Sequence, residues 1–100
     1  MMDVDMKKNI ELAELLKAIA HPVRLCIVRG LAEKGVCNVS HMQSCLDVPQ
    51  STISQHLQKL RAAGIITGVR NGLEVNYQIS DQRIVQLVRV LFANQTKGGN

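Results

Sequence analysis

Cys37, His41 and Cys45 stand at successive intervals of four residues, just after a glycine at position 35. A thiolate is both a nucleophile and a soft metal ligand, and a protonated imidazole beside it raises the thiolate fraction. A regular helix resists both uses, because at about 1.5 Å per residue the two thiols sit about 12 Å apart along its axis. A disulfide needs Cα atoms within about 7 Å, and two Zn–S bonds of about 2.3 Å do not span the gap. Only a Cys37 placed before the helix and folded back makes Cys37 and Cys45, with His41, sensor thiols for redox change or a soft metal ion. Otherwise they are ordinary thiols and the chain carries no cofactor. Cys26 lies among apolar neighbours and reads as packing.

A second set of side chains has the chemistry to read base edges and phosphates. At helical spacing, Ile53, Leu57 and Leu60 share one side of a segment, and Ser51, Gln55, Gln58 and Lys59 fall opposite with Thr52 beside them. Gln pairs with adenine in the major groove, while Ser, Thr and Lys bond bases or phosphates. This polar face carries no carboxylate, whereas the first helix mixes Glu11 and Glu14 with Lys17. Ser54 and Arg61 lie nearer the apolar stripe and reach phosphates only from its margin. His56, on the other flank, reads as a satisfied structural histidine. Arg70 and Asn71 belong to a hairpin tip that can approach the backbone or the minor groove.

The elements that position these residues follow from hydrophobic period. Residues 1–8 form a charged flexible tail, and a helix begins at Asn9 with Leu12, Leu15, Leu16 and Ile19 on one face. Pro22 opens a second helix to about Ala32, and Gly35 separates it from a short helix over Asn38–Leu46. Asp47–Gln50 is a turn, Ser51 to about Ala63 the fourth helix, and Gly64 its C-terminal stop. The period then drops to two: Ile65–Thr67 and Val75–Ile79 read as strands, joined through Asn71-Gly72, a strong hairpin signal. Ser80-Asp81 cap a last helix that is apolar nearly all round, and residues 96–100 form a second flexible tail. The fold class is mainly α with a β-hairpin wing, in the order α-α-α-α-β-β-α, one winged helix-turn-helix domain over residues 9–95. So apolar a terminal helix calls for a second copy, with Leu12, Leu16, Ile19, Ile84, Leu87, Val88 and Leu91 at a homodimer interface.

Composition agrees without deciding. The 100 residues make one domain with a formal net charge of +4, which favours polyanions but is also ordinary surface charge. The polar N-terminus is no signal peptide, and no run is long enough for a membrane span. Three cysteines without a disulfide framework fit a reduced cytoplasmic protein. No nucleophile–base pair, glycine-rich phosphate loop or carboxylate pair points to an enzyme.

Residues 15–33 (LLKAIAHPVRLCIVRGLAE), 48–63 (VPQSTISQHLQKLRAA) and 64–79 (GIITGVRNGLEVNYQI) resemble the ArsR/SmtB family of bacterial repressors, a likeness spanning roughly residues 10–95. The resemblance implies a dimer through the first and last helices, a recognition helix over Gln50–Ala63 that adds Gln50 to the DNA-facing set, double-stranded operator DNA as partner, and repression relieved by an inducer. The family's metal-sensing members carry Cys-Val-Cys-Asp-Leu where this chain has Asn38-Val39-Ser40-His41-Met42. Of a second site on the last helix only Asp81 matches, beside Arg83, Asn94 and Lys97, and Asp81 reads better as a helix cap. The persulfide-sensing pairing fails too, since Cys26 falls about three places early and the last helix has no cysteine. The expectation is therefore a dimeric repressor with an unidentified inducer. A thiol or soft-metal sensor using Cys37 and Cys45, and an interaction module that has lost DNA binding, are the alternatives.

Overall fold

The computed structural model describes residues 5–93. The expected tail at 96–100 lies outside them, as do Asn94 and Lys97. Helix α1 (Met6–Ile19) starts three residues before Asn9, because Asp5 accepts the Lys8 N–H at 3.1 Å and caps it. Residues 6–8 are thus helix rather than tail. His21 ends the break: its Nδ1 accepts the Val23 N–H at 3.1 Å and caps α2 (Pro22–Lys34), whose first residue is the proline.

A two-residue strand, β1 (Cys37–Asn38), comes next and was not expected from the sequence. Two residues give no readable alternation; what makes them a strand is pairing with a segment almost forty residues away. Asn38 also caps α3 (Val39–Leu46) by accepting the His41 N–H at 2.8 Å. Asp47, in the left-handed conformation at φ 57°, turns the chain into α4 (Gln50–Ala62). Helix α4 closes in a Schellman motif: the Gly64 N–H donates to Arg61 O and the Ile65 N–H to Leu60 O, with Gly64 at φ +77°.

Strands β2 (Ile66–Asn71) and β3 (Glu74–Ile79) form the wing, and the sheet order is β1-β3-β2, antiparallel throughout. Asn71 pairs with Glu74, so the turn is Gly72-Leu73, one place later than the Asn-Gly signal indicated. Only its first residue takes positive φ, as a Gly-X hairpin turn needs. Gly68 faces Tyr77 across the pair, and a Cβ there would meet the Tyr77 ring and Val75 at 3.0 Å. Helix α5 (Gln82–Leu91) starts on Asp81, whose carboxylate accepts the Arg83 N–H at 3.0 Å.

Helix α2 packs against α5, β3 and α4 around one aliphatic core that includes Val28, Leu31, Ile53, Leu60, Ile65 and Tyr77. Three residues expected at a dimer face belong to this core instead: Ile19, Ile84 and Val88 are 4%, 1% and 2% exposed. The helix is not apolar all round, since Gln82, Arg83, Gln86 and Arg89 form an exposed polar side. The spacing identified apolar residues but not which apolar side the protomer itself fills. Leu12 and Leu87 are half-buried, and Met6, Ile10, Leu16, Val90 and Leu91 stay exposed. Among the described residues no helix is long and apolar enough to cross a membrane.

Candidate nucleic-acid interface

Helix α4 is anchored by Ile53, Leu57 and Leu60, each at most 2% exposed. Those anchors fix the rotation of everything else on it. Gln50, Ser51, Ser54, Gln55, Gln58, Lys59 and Arg61 are all exposed, and Thr52 is half-buried. The open arc is therefore tilted from the expected one: Ser54 and Arg61 stand fully on it, while Thr52 sits at its edge. The neighbour on that flank is the head of α2: Thr52 and His56 are both half-buried, and the His56 ring lies against His21. Gln55, Gln58, Lys59 and Ala62 line a shallow depression on this arc.

The N-terminus of α4 is open. Pro49 offers no side-chain cap, and its carbonyl receives the Thr52 and Ile53 N–H groups at 3.0 and 3.2 Å. The N–H groups of Gln50 and Ser51 thus point out of the helix end, where the backbone dipole favours an anion. Helix α3 packs on α4 across the Asp47–Pro49 turn and completes the helix-turn-helix pair. On the wing, Arg70 and Asn71 are exposed and Leu73 is 100% exposed at its tip, and Leu73 and Glu74 share a shallow hollow with Gln50 at the head of α4. Leu73 carried no signal in the sequence, where a leucine beside a turn reads as the start of a strand.

His56 is not the satisfied histidine the sequence indicated. Its ring lies against His21, with centroids 4.3 Å apart and planes at 43°. Its Nδ1 is buried without a hydrogen-bond partner, as is the Nε of Arg24. Burial holds the His56 imidazole below its ordinary pKa, and His21, Arg24 and Lys59 push it the same way. Helix α4 therefore meets the head of α2 through an imidazole whose charged form is disfavoured by burial and by the basic groups around it.

One cysteine is placed differently from expectation. Cys26 is exposed rather than packed. Cys37 lies in β1 ahead of α3, the placement that a sensor role for it requires, and Cys45 is exposed with its Sγ 3.9 Å from His41 Nε2. Among the described residues no three His, Cys, Asp or Glu side chains group to hold a metal ion.

Comparison with known proteins places this geometry in company. A helix-turn-helix domain family matches residues 19–69. The HTH-type transcriptional repressor SmtB of Mycobacterium tuberculosis is 47% identical over 75 residues, covering 75% of this chain and 55% of that protein. This chain thus spans just over half the length of that relative. The transcriptional repressor PagR of Bacillus anthracis is 42% identical over 79% of both chains. Its crystal structure superposes with a TM-score of 0.80, covering 87% of this chain and 99% of that one. The crystal structure of the transcriptional repressor BigR from Xylella fastidiosa gives 0.82 at 37% identity, covering 93% of this chain and 95% of its own.

Proposed function

This chain belongs to the ArsR/SmtB family of winged helix-turn-helix transcriptional repressors, and on that footing we propose that it binds a two-fold operator as a cytoplasmic homodimer and represses transcription until an inducer releases it. The observation that carries the reading is the exposed arc of α4, which presents two serines, three glutamines, a lysine and an arginine and no carboxylate. A helix of that composition, with an uncapped N-terminus, suits the major groove and its flanking phosphates. Ser51, Gln55 and Gln58 address base edges; Gln50, Ser54, Lys59 and Arg61 address the backbone. Arg70 and Asn71 bring the wing to the adjacent groove. The protein acts by binding rather than by catalysis, as the repressor relatives do.

The test is a titration of duplex DNA, selected from a random pool by the purified protein, at several salt concentrations. Affinity should fall steeply as salt rises, because each cation on a phosphate displaces a counterion. Selection that yields no preferred sequence, with no salt-dependent binding, would leave only the interaction-module alternative standing.

A further inference from the structure

All three cysteines of the chain line a single small hollow of about 60 Å³ between α2, β1 and α3. Its other walls include Lys34 and His41, with Leu31 and Met42 behind them. At about 30 Å³ per water, that is room for a molecule the size of one or two waters. Cys45 approaches His41 Nε2 at 3.9 Å from the exposed side. Cys37 faces the hollow from the strand, half-buried, with its Sγ turned toward its neighbour's carbonyl, Asn38 O, at 3.6 Å. The two thiols stand in different surroundings. Burial pushes the Cys37 thiol up and Cys45 adds to that shift, while the Lys34 ammonium and the Asn38 hydrogen bond oppose it. Cys45 has a base beside it and solvent access.

Resting on the regulator reading above, we propose that Cys45 and Cys37 are a peroxide-responsive pair, closed into a disulfide across this hollow by a small hydroperoxide, and that closure weakens DNA binding. The Cys45 sulfur, its proton passed to His41, attacks the distal peroxide oxygen. The O–O bond breaks, Cys45 becomes a sulfenic acid, and hydroxide leaves to collect the proton as water (from a substituted peroxide, the alcohol leaves instead). Cys37 sulfur then attacks Cys45 sulfur, the S–O bond breaks, and a second water departs. With hydrogen peroxide, two thiols and one oxidant give one disulfide and two waters.

The lever is the hollow itself. A disulfide holds its Cα atoms within about 7 Å, so bridging two residues that line the same hollow ties β1 to the end of α3. Cys37 pairs with Tyr77 of the wing and Asn38 with Asn76. Asn38 also caps α3 and donates through Nδ2 to Glu74 at 3.4 Å. Pulling on Cys37 thus loads the wing and the α3 cap at once, and α3 carries the recognition helix on its other side.

The reduced full-length protein is treated with hydrogen peroxide, blocked with an alkylating reagent, mapped by peptide mass, and titrated with its selected operator duplex. The expected result is an intrachain Cys37–Cys45 linkage with a loss of roughly tenfold in affinity, a usual size for coupling between sites, restored by reductant. Cys26→Ser should respond as the wild type does. Cys37→Ser should stop at a trappable sulfenic acid on Cys45, and Cys45→Ser should form no linkage. Unlinked cysteines, bridges only between chains, or a linkage that leaves affinity unchanged would each overturn the proposal. If the reduced protein binds no DNA, the regulator reading falls, and the linkage map still decides the disulfide.

Discussion

The side chains of α4 divide into those that hold the helix and those that it offers, and Gln55 is the most informative of the second kind. It stands exposed above the Leu57–Leu60 anchor, with Gln58 and Lys59 around it. Gln55→Ala should weaken specific binding by about 1–3 kcal/mol and relax preference at one base pair per half-site. Lys59→Ala should weaken all sequences alike and flatten the salt dependence. Competition titrations with single-base operator variants separate the two; equal loss on every variant for both would move Gln55 to the phosphates. His56 supports a different prediction. Its pKa is lowered in the folded protein, so the unfolded chain binds more protons below the ordinary imidazole value. The stabilisation is therefore complete above about pH 6.5 and is lost as pH falls through the lower folded value. Urea midpoints should drop between pH 7.5 and 5 in the wild type, and less steeply in His56→Gln; parallel slopes would assign the loss to other groups. Sequence reasoning reached the first residue because a polar face has a period. It missed the second because an unpaired ring nitrogen depends on what α2 brings opposite.

At the scale of elements, what was legible is what is local. The Gly64 stop, the Asp81 cap, the proline at the head of α2 and the alternation of β3 are each set by neighbours within a few residues, and each forms where the sequence places it. Strand β1 and the hairpin's one-residue shift were not legible, since both are settled by register against β3 rather than by local preference. The same distinction applies to Cys37: its place ahead of the helix was legible, but its pairing with Tyr77 was not, because that depends on β3. The Asp81 cap bears a further load, because its carboxylate also holds Arg83 at 2.7 Å. That pairing keeps the Asp81 carboxyl below its ordinary value, chiefly through the Arg83 side-chain hydrogen bond. Asp81→Ala should cost about 1 kcal/mol, the usual value of an N-cap, and fray the first turn of α5 in amide exchange. Asp81→Asn should recover most of the loss near neutral pH, since an amide oxygen can still accept the Arg83 N–H. Because the folded pKa is depressed, the carboxylate's advantage over Asn holds above about pH 4 and disappears as pH falls below that.

The whole molecule presents two unlike surfaces, and their separation is the strongest reason to expect a dimer. The α4 arc is polar and basic, while Met6, Ile10 and Leu16 on α1 and Val90 and Leu91 on α5 are 50–74% exposed. Single exposed aliphatics are ordinary, but five on the two terminal helices are the residues a second copy would cover. A chain of this size also buries a modest core of its own. A dimer that reads a two-fold operator must hold its two α4 helices about 34 Å, or one turn of DNA, apart. Leu91→Glu tests this cleanly, because Leu91 is 55% exposed and its replacement leaves the protomer core intact, whereas Ile84 and Val88 would take the fold with them. The variant should keep its helical circular dichroism and its thermal transition at low concentration. In sedimentation it should run as a monomer where the wild type runs as a dimer, since an unpaired carboxylate in a closed apolar interface is costly. Its DNA binding should fall to that of one half-site, losing the dependence on half-site spacing while retaining preference at each base pair that Gln55 reads. A wild type that sediments as a monomer at micromolar concentration, or a Leu91→Glu variant that remains dimeric and binds the full operator normally, would show that the exposed faces of α1 and α5 serve some other contact.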